Sequence, residues 1–377
     1  MRIAIAHDYL NQMGGAENVL LTLHEIFPEA PIYTSFYRPD AMSTAFRPLD
    51  IRTTFLQKLG PLTRYPRHQM LLPLYPIAFE RLDLREYDVV LSNSSAWCKG
   101  VITREDARHI CYCLSPMRFA WNTREYLAGE QIGWLPRKAL PAVLTRIRAW
   151  DVATNARVDD FVAISRAIAA RIKTYYNREA SILFPPVDTS LFAPSDHIDD
   201  YFLIVSRLVP YKRVDLAIQA FNRLGLPLRI IGDGRDRARL EAMAEPNVQF
   251  LGYVDDEIRR RHLSQCRALV FPGEEDFGLV PVETQASGRP VIAYAAGGAL
   301  DTVVEGETGL FFSEQRVEAL CEAIERFATM VFCTERITEH AAAFDTSVFK
   351  ERMAALIDTA ASRPRFPKGP CSPPSLA

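Results

Sequence analysis

Several features are scarce in this chain of 377 residues. No stretch approaches the roughly 20 consecutive apolar residues that a membrane-spanning helix needs. The opening, MRIAIAHDYL, does not carry the apolar run of a secretory signal peptide. The seven cysteines include no Cys-x-x-Cys pair and are typical of free thiols in a reducing compartment. We therefore expect a cytoplasmic protein.

An excess of positive charge is also missing. The formal net charge is -2, so overall charge gives no support to a nucleic-acid partner. The distribution is uneven, because residues 1–195 hold 23 Lys and Arg against 19 Asp and Glu, a balance of +4. The remainder has a balance of -6, since 44 − 23 = 21 basic residues stand against 46 − 19 = 27 acidic ones. A basic first half indicates a partner surface there.

Short apolar runs alternate with helical periodicity along the chain, which is the pattern of α/β proteins with parallel sheets. A strand over Arg2–Ala6, a glycine turn at Gly14 and Gly15 and a helix over Ala16–Phe27 form the first such unit. Further strands are expected at residues 88–92, 109–113, 160–164, 201–205, 228–231, 248–251, 268–271 and 291–294. The sequence predicts an α/β protein made of two Rossmann-like, doubly wound domains that face one cleft.

The length exceeds what one core normally serves, so two domains are expected. LFPPVDTSLF at 183–192, with its double proline, suits a linker. We place the first domain at 1–190 and the second at 196–343. Residues 344–361 are expected to form a C-terminal helix that packs back on the first domain, and the Pro- and Ser-rich tail 364–377 to be disordered.

The most informative window runs from Gly273 to Gly309 and contains Glu275 and Glu283, with seven residues between them. Phe277, Gly278 and Leu279 should lead from a strand into a helix, whose free backbone N–H groups can hold a pyrophosphate. A carboxylate just before the helix can meet sugar hydroxyls, and one further along can reach a ribose diol. Alone, such a glutamate pair is more often part of a solvated helix face; its setting favours a function.

Two other windows bear on the same chemistry. Arg207 and Lys212, in VSRLVPYKRVD, leave the end of a strand and could clamp a diphosphate, although isolated cations of this kind are usually solvated. The early turn with Gly14 and Gly15 follows the first strand and favours a role facing a ligand. Gly232, in Gly-Asp-Gly, is either a ligand contact or a tight strand-to-helix turn.

Together these windows resemble the retaining GT-B glycosyltransferases of family four, over most of the chain. HDYLNQMGGAE, YCLSPMRFAW and VSRLVPYKRVDLAIQAF are similar to bacterial mannosyltransferases of O-antigen and exopolysaccharide assembly. The resemblance implies an acceptor-side first domain and a second domain that binds the nucleotide sugar. It assigns the diphosphate to Arg207 and Lys212, the donor sugar to Glu275 and the ribose to Glu283. It also implies that Phe277 to Leu279 offer backbone amides and that Tyr253 and Val254 lie near the base.

The sequence departs from the family at one position. Many relatives carry a histidine where Leu114 follows the strand Ile110-Cys-Tyr-Cys. His7 and His109 are the nearby candidates for its role.

The leading hypothesis is transfer of a hexose, with retention, from GDP-mannose to a lipid-linked glycan. A UDP-hexose donor is the runner-up, and a nucleotide-sugar epimerase or a binding protein without turnover are alternatives. No Asp-x-Asp element follows a strand in the first half, so we expect no metal and no other cofactor.

Two windows of the first half contain no acidic residue. One, 51–79, carries Arg52, Lys58, Arg64 and Arg67 beside the apolar run Met70–Ile77. The other, 131–150, carries cations at 137, 138, 146 and 148 between Trp134 and Trp150. Cations beside apolar side chains are what an interfacial segment needs, so we expect peripheral binding to an anionic membrane surface. The alternative is that the apolar residues are core and the cations solvated.

Overall fold

The computed structural model describes residues 1–64, 67–121 and 140–363. The chain divides into two compact units. The first comprises Met1–Ile164, Ile168–Leu183 and the chain from Lys350 onward, and the second Ser165–Ala167 and Phe184–Phe349. Each unit is built on one sheet of parallel strands with helices, which confirms the predicted doubly wound α/β class.

The sheet of the first unit has the order β3-β2-β1-β4-β5-β6-β7, and its paired strands are all parallel. Its strands are β1 Ile3–His7, β2 Ile32–Thr34, β3 Ile51–Thr53, β4 Val89–Ser94, β5 Arg108–Cys113, β6 Asp160–Ala163 and β7 Ala180–Ile182. Its helices are α1 Gly15–Ile26, α2 Tyr75–Glu80, α3 Arg118–Trp121, α4 Leu140–Ala153 and α5 Arg166–Tyr176, whose first residues count with the second unit.

The sheet of the second unit has the order β10-β9-β8-β11-β12-β13, again parallel throughout. Its strands are β8 Phe202–Val205, β9 Leu228–Ile231, β10 Val248–Gly252, β11 Leu269–Phe271, β12 Val291–Tyr294 and β13 Gly309–Phe312. Its helices are α6 Val214–Leu224, α7 Arg237–Met243, α8 Asp256–Gln265, α9 Leu279–Ala286, α10 Ala299–Thr302, α11 Val317–Ala328 and α12 Thr334–Ala342. The last helix, α13 Thr346–Ser362, begins here and continues in the first unit.

The central strands are buried because helices cover both faces of a doubly wound sheet. All six residues of β4 are buried, as are all three of β11. Helix α6 shows the complementary pattern, because one face of it is buried against the sheet while the other is polar, and Gly225 ends it with a φ of +66°. The apolar runs that predicted the strands are thus the residues of the core.

Each sheet has one position where the strand order reverses. In the first unit this switch point lies between β1 and β4, and in the second between β8 and β11. Loops that leave the carboxyl ends of two such strands run to opposite sides of the sheet and leave a crevice between them. The fold therefore marks the ends of β8 and β11 as the place for a ligand in the second unit.

The segment 183–192, expected as a linker, is anchored within the second unit from Phe184 onward. The Val187 N–H donates to the Phe344 carbonyl at 3.0 Å, and the Thr346 N–H donates to the Val187 carbonyl at 3.0 Å. The Thr189 hydroxyl donates to Asp345 Oδ2 at 2.6 Å. The division between the units falls after Leu183, at the start of this segment. The tail at 364–377 lies outside the described residues.

Among the helices of the described residues, none combines the length and the apolar character needed to cross a membrane.

Candidate functional site

A cation lies beside a carboxylate at the switch point of the second sheet. Lys212 ends the turn Pro210–Lys212 that follows β8, and Glu275 follows β11. The Lys212 ammonium forms an ion pair with Glu275 Oε1. Their side chains are only 12% and 23% exposed, so solvent screens the pair weakly. Two of the predicted catalytic residues therefore lie together.

The third predicted cation is linked to this pair through a tyrosine. Arg207 is exposed, and its Nη2 donates to the Tyr211 hydroxyl at 3.1 Å. The Lys212 ammonium lies 5.3 Å from the centre of the same Tyr211 ring, within the range of a cation–π contact. Tyr211 therefore connects the two cations that the sequence assigned to a diphosphate.

The loops after β8, β9 and β11 approach one another at backbone distance. A methyl group on Gly232 would lie 1.9 Å from the Ser206 carbonyl oxygen, and Gly232 has a φ of +132°. A methyl group on Gly273 would lie 2.9 Å from Lys212 Cα. Glycine is therefore required where these loops meet. The Gly232-Asp-Gly234 turn is a point of close approach to the β8 loop.

The loop after β12 joins the same assembly. The Gly298 N–H donates to the Glu275 carbonyl oxygen at 2.8 Å. A methyl group on Gly298 would lie 2.1 Å from Phe277 Cα, and one on Gly297 would lie 2.2 Å from the Glu275 carbonyl oxygen. This double glycine therefore fixes the backbone of residues 275–277 against the next strand.

The Phe-Gly-Leu sequence forms the entry to α9. The Phe277 ring is buried against Phe184 and Phe344, with ring centres 5.7 and 5.8 Å away. Gly278 precedes the helix with a φ of +94°, and Leu279 is its first residue. Phe277 can therefore serve a ligand only through its backbone, and the N–H groups that begin α9 are suited to an anion.

Glu283, the second carboxylate of the predicted pair, lies within α9 and has a cationic partner. Arg259 Nη1 of α8 donates to Glu283 Oε2. Burial raises the pKa of Glu283, while the Arg259 guanidinium opposes that rise. Each of the two predicted carboxylates therefore forms an ion pair with a basic side chain, Glu275 with Lys212 and Glu283 with Arg259.

Tyr253 and Val254 follow β10, two strands away from β8 in the sheet. Neighbouring strands are about 4.8 Å apart, so these residues stand roughly 10 Å from the end of β8. The Tyr253 side chain is 90% exposed, whereas Val254 packs against the core. An exposed aromatic ring on a strand end of this sheet is available for stacking.

Arg213, next to Lys212, has a left-handed backbone with a φ of +53°. Its Nη1 donates to Gln315 Oε1 at 3.0 Å, and the Gln315 amide donates to the Pro272 carbonyl at 3.0 Å. The strained residue thus connects the β8 loop to the end of β11, immediately before Gly273.

The predicted glycines of the first unit lie after β1, at the β1/β4 switch point. Gly14 is extended, with a φ of -168°, so it makes no left-handed turn, and Gly15 begins α1. The buried Asp8 carboxylate accepts hydrogen bonds of 2.7 to 2.8 Å from the Ser95 N–H and hydroxyl and from the N–H groups of Trp97 and Cys98. Asp8 thereby ties the end of β1 to the loop after β4.

The structure separates the two histidines considered in place of Leu114. His7 is the last residue of β1, and its Nε2 lies 3.6 Å from Glu17 Oε1. His109 is buried near the start of β5, where Ser92 Oγ and the Arg157 carbonyl lie 2.9 and 3.0 Å from its two ring nitrogens. His109 is therefore a core histidine at the opposite end of its strand, and only His7 lies at the carboxyl edge.

The expected membrane windows are corrected in part. Leu71, Leu72 and Tyr75 are buried in the core, and Trp150 packs against Trp97, because these side chains fill the space beside the first sheet. Arg52 is held by Asp50 and by the hydroxyls of Tyr33 and Tyr87. Lys58, Arg64, Arg67, Ile77 and Arg146 are exposed. Trp134, Arg137 and Lys138 lie outside the described residues.

Sequence reasoning did not single out Arg259, Asp8 or the Gly297–Gly298 pair. The double glycine follows the end of a predicted strand after two intervening residues, which was a usable signal. Arg259 belongs to an Arg-Arg-Arg run that resembles a solvated helix face, and the sequence carries no sign that one of the three turns inward.

Comparison with solved structures defines the class of fold. The chain is similar to sucrose-phosphate synthase from Thermosynechococcus elongatus, with a TM-score of 0.72 and 20% identity over 95% of this chain and 99% of the other. It is similar to the lipopolysaccharide outer core galactosyltransferase WaaB, with a TM-score of 0.69 and 17% identity over 95% and 99%. The fold is that of the GT-B glycosyltransferases.

Comparison with models of sequence families gives a match within the second unit. Residues 192–342 match the model of the family described as Glycosyl transferases group 1. This segment contains Lys212, Arg259, Glu275 and Glu283, so the candidate site lies inside the matched region.

Curated relatives match over part of their length. The chain is 29% identical over 246 residues to a GDP-mannose-dependent alpha-(1-6)-phosphatidylinositol monomannoside mannosyltransferase of Mycolicibacterium smegmatis, covering 56% of this chain and 63% of the relative. It is 28% identical over 172 residues to an uncharacterized glycosyltransferase of Methanocaldococcus jannaschii, covering 44% and 48%. The chain thus spans about half to somewhat under two thirds of these relatives.

Proposed function

We propose that the chain is a glycosyltransferase that takes its sugar from a nucleotide sugar. The observation that carries this proposal is the Lys212–Glu275 pair at the β8/β11 switch point, inside the segment that matches the family model. A cation there can neutralise a diphosphate, and a carboxylate can accept hydrogen bonds from sugar hydroxyls. The loop glycines let the loops after β8, β9, β11 and β12 approach one another at backbone distance around this pair.

In the proposed reaction the sugar is transferred with retention. The bond between sugar C1 and the donor phosphate oxygen breaks, and a bond between C1 and the acceptor oxygen forms on the same face. The departing phosphate oxygen takes the proton of the acceptor hydroxyl. Lys212, Arg207 and the N–H groups that begin α9 stabilise the charge on the diphosphate, and no metal or other cofactor takes part.

GDP-mannose is the proposed donor. The Mycolicibacterium smegmatis relative, which is named for a GDP-mannose donor, supports it. A UDP-hexose is the alternative, because a structure of similar fold, HepE from Anabaena, was determined in complex with UDP. Isothermal titration of the protein with GDP and with UDP decides between them. Tighter binding of UDP refutes the choice of GDP-mannose.

The proposed acceptor is a lipid-linked glycan. The test follows labelled hexose from the donor into lipid-linked glycans, for the wild type and for Lys212→Ala, with and without EDTA. We expect transfer by the wild type that survives EDTA and is lost in the variant. An epimerised sugar formed from the donor alone indicates an epimerase, and loss of transfer in EDTA contradicts the metal-independent reaction. A protein that binds neither nucleotide refutes the proposed function.

We also propose that the first unit attaches peripherally to anionic membranes, where a lipid-linked acceptor would be met. The exposed cations Arg64, Arg67 and Arg146 support this proposal, each worth about 1 kcal/mol near such a surface. The test is co-sedimentation with anionic liposomes at low salt. Replacing Arg64, Arg67, Arg146 and Arg148 by Ser should release the protein and spare nucleotide binding. Equal sedimentation of both proteins contradicts the attachment.

A further inference from the structure

We propose that Arg259 is a positioning residue for the nucleotide, which orients Glu283 and keeps its carboxylate ready to accept both hydroxyls of the donor ribose. This inference rests on the proposed function, because it concerns the ribose of the same nucleotide sugar. Arg259 itself touches Glu283 and not the ribose.

The guanidinium of Arg259 is oriented by several neighbours. Asp255 caps the start of α8 by accepting the Ile258 N–H at 2.8 Å, which fixes the first turn that carries Arg259. Arg259 Nε lies 3.4 Å from Asp256 Oδ1, and the guanidinium lies 6.0 Å from the centre of the Phe192 ring. Nη1 is thereby directed at Glu283 Oε2.

The ion pair leaves half of the carboxylate for a ligand. Arg259 binds Oε2 of Glu283, and among the residues that the structure describes we find no hydrogen bond to Oε1. An ionised carboxylate accepts at both oxygens and donates at neither, which suits two adjacent hydroxyl donors. Arg259 therefore fixes one edge of Glu283 and leaves the other edge for the diol.

Because the Glu283 carboxylate is largely buried, it needs the Arg259 guanidinium to stay ionised and oriented. The Glu283 side chain is 17% exposed and that of Arg259 is 22% exposed. A partly buried carboxylate that loses its cation becomes protonated or turns toward water. In either case it no longer presents two acceptors in a fixed direction. Loss of Arg259 should therefore act on recognition of the ribose hydroxyls, and not on the diphosphate at Lys212.

The test measures binding of GDP and UDP and of their 2′-deoxy counterparts by isothermal titration to the full chain. For whichever ribonucleotide binds more tightly, we expect the wild type to prefer it over its 2′-deoxy form by about tenfold, the worth of one hydrogen bond to a charged group. Arg259→Ala should bind the deoxy form about tenfold more weakly, because the bond to the remaining 3′-hydroxyl is lost, and the ribonucleotide about a hundredfold more weakly, so the preference falls below about twofold.

Two further variants separate positioning from stability. Arg261→Ala removes a cation from the same helix, exposed and 3.9 Å from Glu257, and should keep the wild-type preference. Arg259→Lys keeps the charge and should restore part of the preference. If Arg259→Ala does not fold, Arg259→Gln is measured against the same criterion.

The outcomes distinguish the inference from the function it rests on. An Arg259 variant that keeps the wild-type preference for ribose overturns the inference and leaves the proposed function standing. Tighter ribonucleotide binding by Arg259→Ala also overturns it, because Arg259 would then compete with the ribose. A wild type that binds neither GDP nor UDP refutes both.

Discussion

Substituting Gly298 by alanine should disable the candidate site through a single added methyl group. Gly298 has a φ of -71° and a ψ of -14°, a conformation that alanine adopts without strain. The effect of Gly298→Ala must therefore come from the space around it. That space is closed, because the new Cβ would lie 2.1 Å from Phe277 Cα and 2.2 Å from the Phe277 carbonyl oxygen.

The magnitude follows from these distances. Carbon atoms in contact stand about 3.5 to 4.0 Å apart, so the backbone at Phe277 must move by more than about 1 Å. Glu275 moves with it, because its carbonyl accepts the Gly298 N–H at 2.8 Å. A displacement of about 1 Å at a reacting centre costs roughly a hundredfold in rate. Overpacking of this kind lowers the free energy of unfolding by about 1 to 3 kcal/mol.

The assay compares transfer rate, nucleotide affinity and melting temperature with those of a control, Gly225→Ala. Gly225 ends α6 with a φ of +66° and has nothing within 4 Å of its missing Cβ. The control should lose about 1 kcal/mol of stability from backbone strain and keep its activity. Gly298→Ala with wild-type transfer, affinity and melting temperature would refute the reasoning, because the two loops would then not be in contact.

The remaining predictions concern single side chains. Lys212→Met and Glu275→Gln should each lower kcat by about thirty- to a thousandfold, whereas Lys58→Met, at an exposed position, should leave kcat unchanged. Burial lowers the pKa of His68 to about 4 from 6.5, so the unfolded chain takes up the proton first. The free energy of unfolding should therefore fall as the pH drops from about 6.5 toward 4, by at most about 3 kcal/mol, and His68→Gln should remove this loss in urea titrations. Tyr253→Ala should weaken nucleotide binding about tenfold in calorimetry if the ring stacks on the base, with Val331→Ala as the exposed control.

The sequence predicted those elements whose apolar runs are long enough to be distinctive. Leu228–Ile231 and Val291–Tyr294 were predicted to the residue, because each is a fully apolar or nearly apolar run bounded by turn residues. Ile32–Thr34, Ile51–Thr53, Ala180–Ile182 and Gly309–Phe312 were missed. The first three of these strands have only three residues each. Three residues give no readable period, and β3 and β7 lie at the edges of their sheet, where fewer side chains are buried.

The candidate site was predictable where chemistry and strand ends coincide, as for Lys212 and Glu275. The side chains that pair with Glu275 and Glu283 in the structure could not be predicted from the sequence. The partner of Glu283 is on another helix, 24 positions away in the chain, and three successive arginines there look alike in sequence. The need for glycine at 298 likewise arises from a backbone 21 positions away, a distance at which local pattern carries no information.

The glycine contacts of the second unit have a consequence for protein engineering. The loops at 206–212, 232–234, 273–278 and 297–298 touch one another where a hydrogen atom stands in place of a methyl group. Each loop is therefore shaped to its neighbours as closely as core side chains are to theirs. Exchanging any one of them with a homologous loop, in order to change the proposed sugar specificity, would break its fit to the others. A chimera with altered specificity should be built by transplanting the four loops as one block.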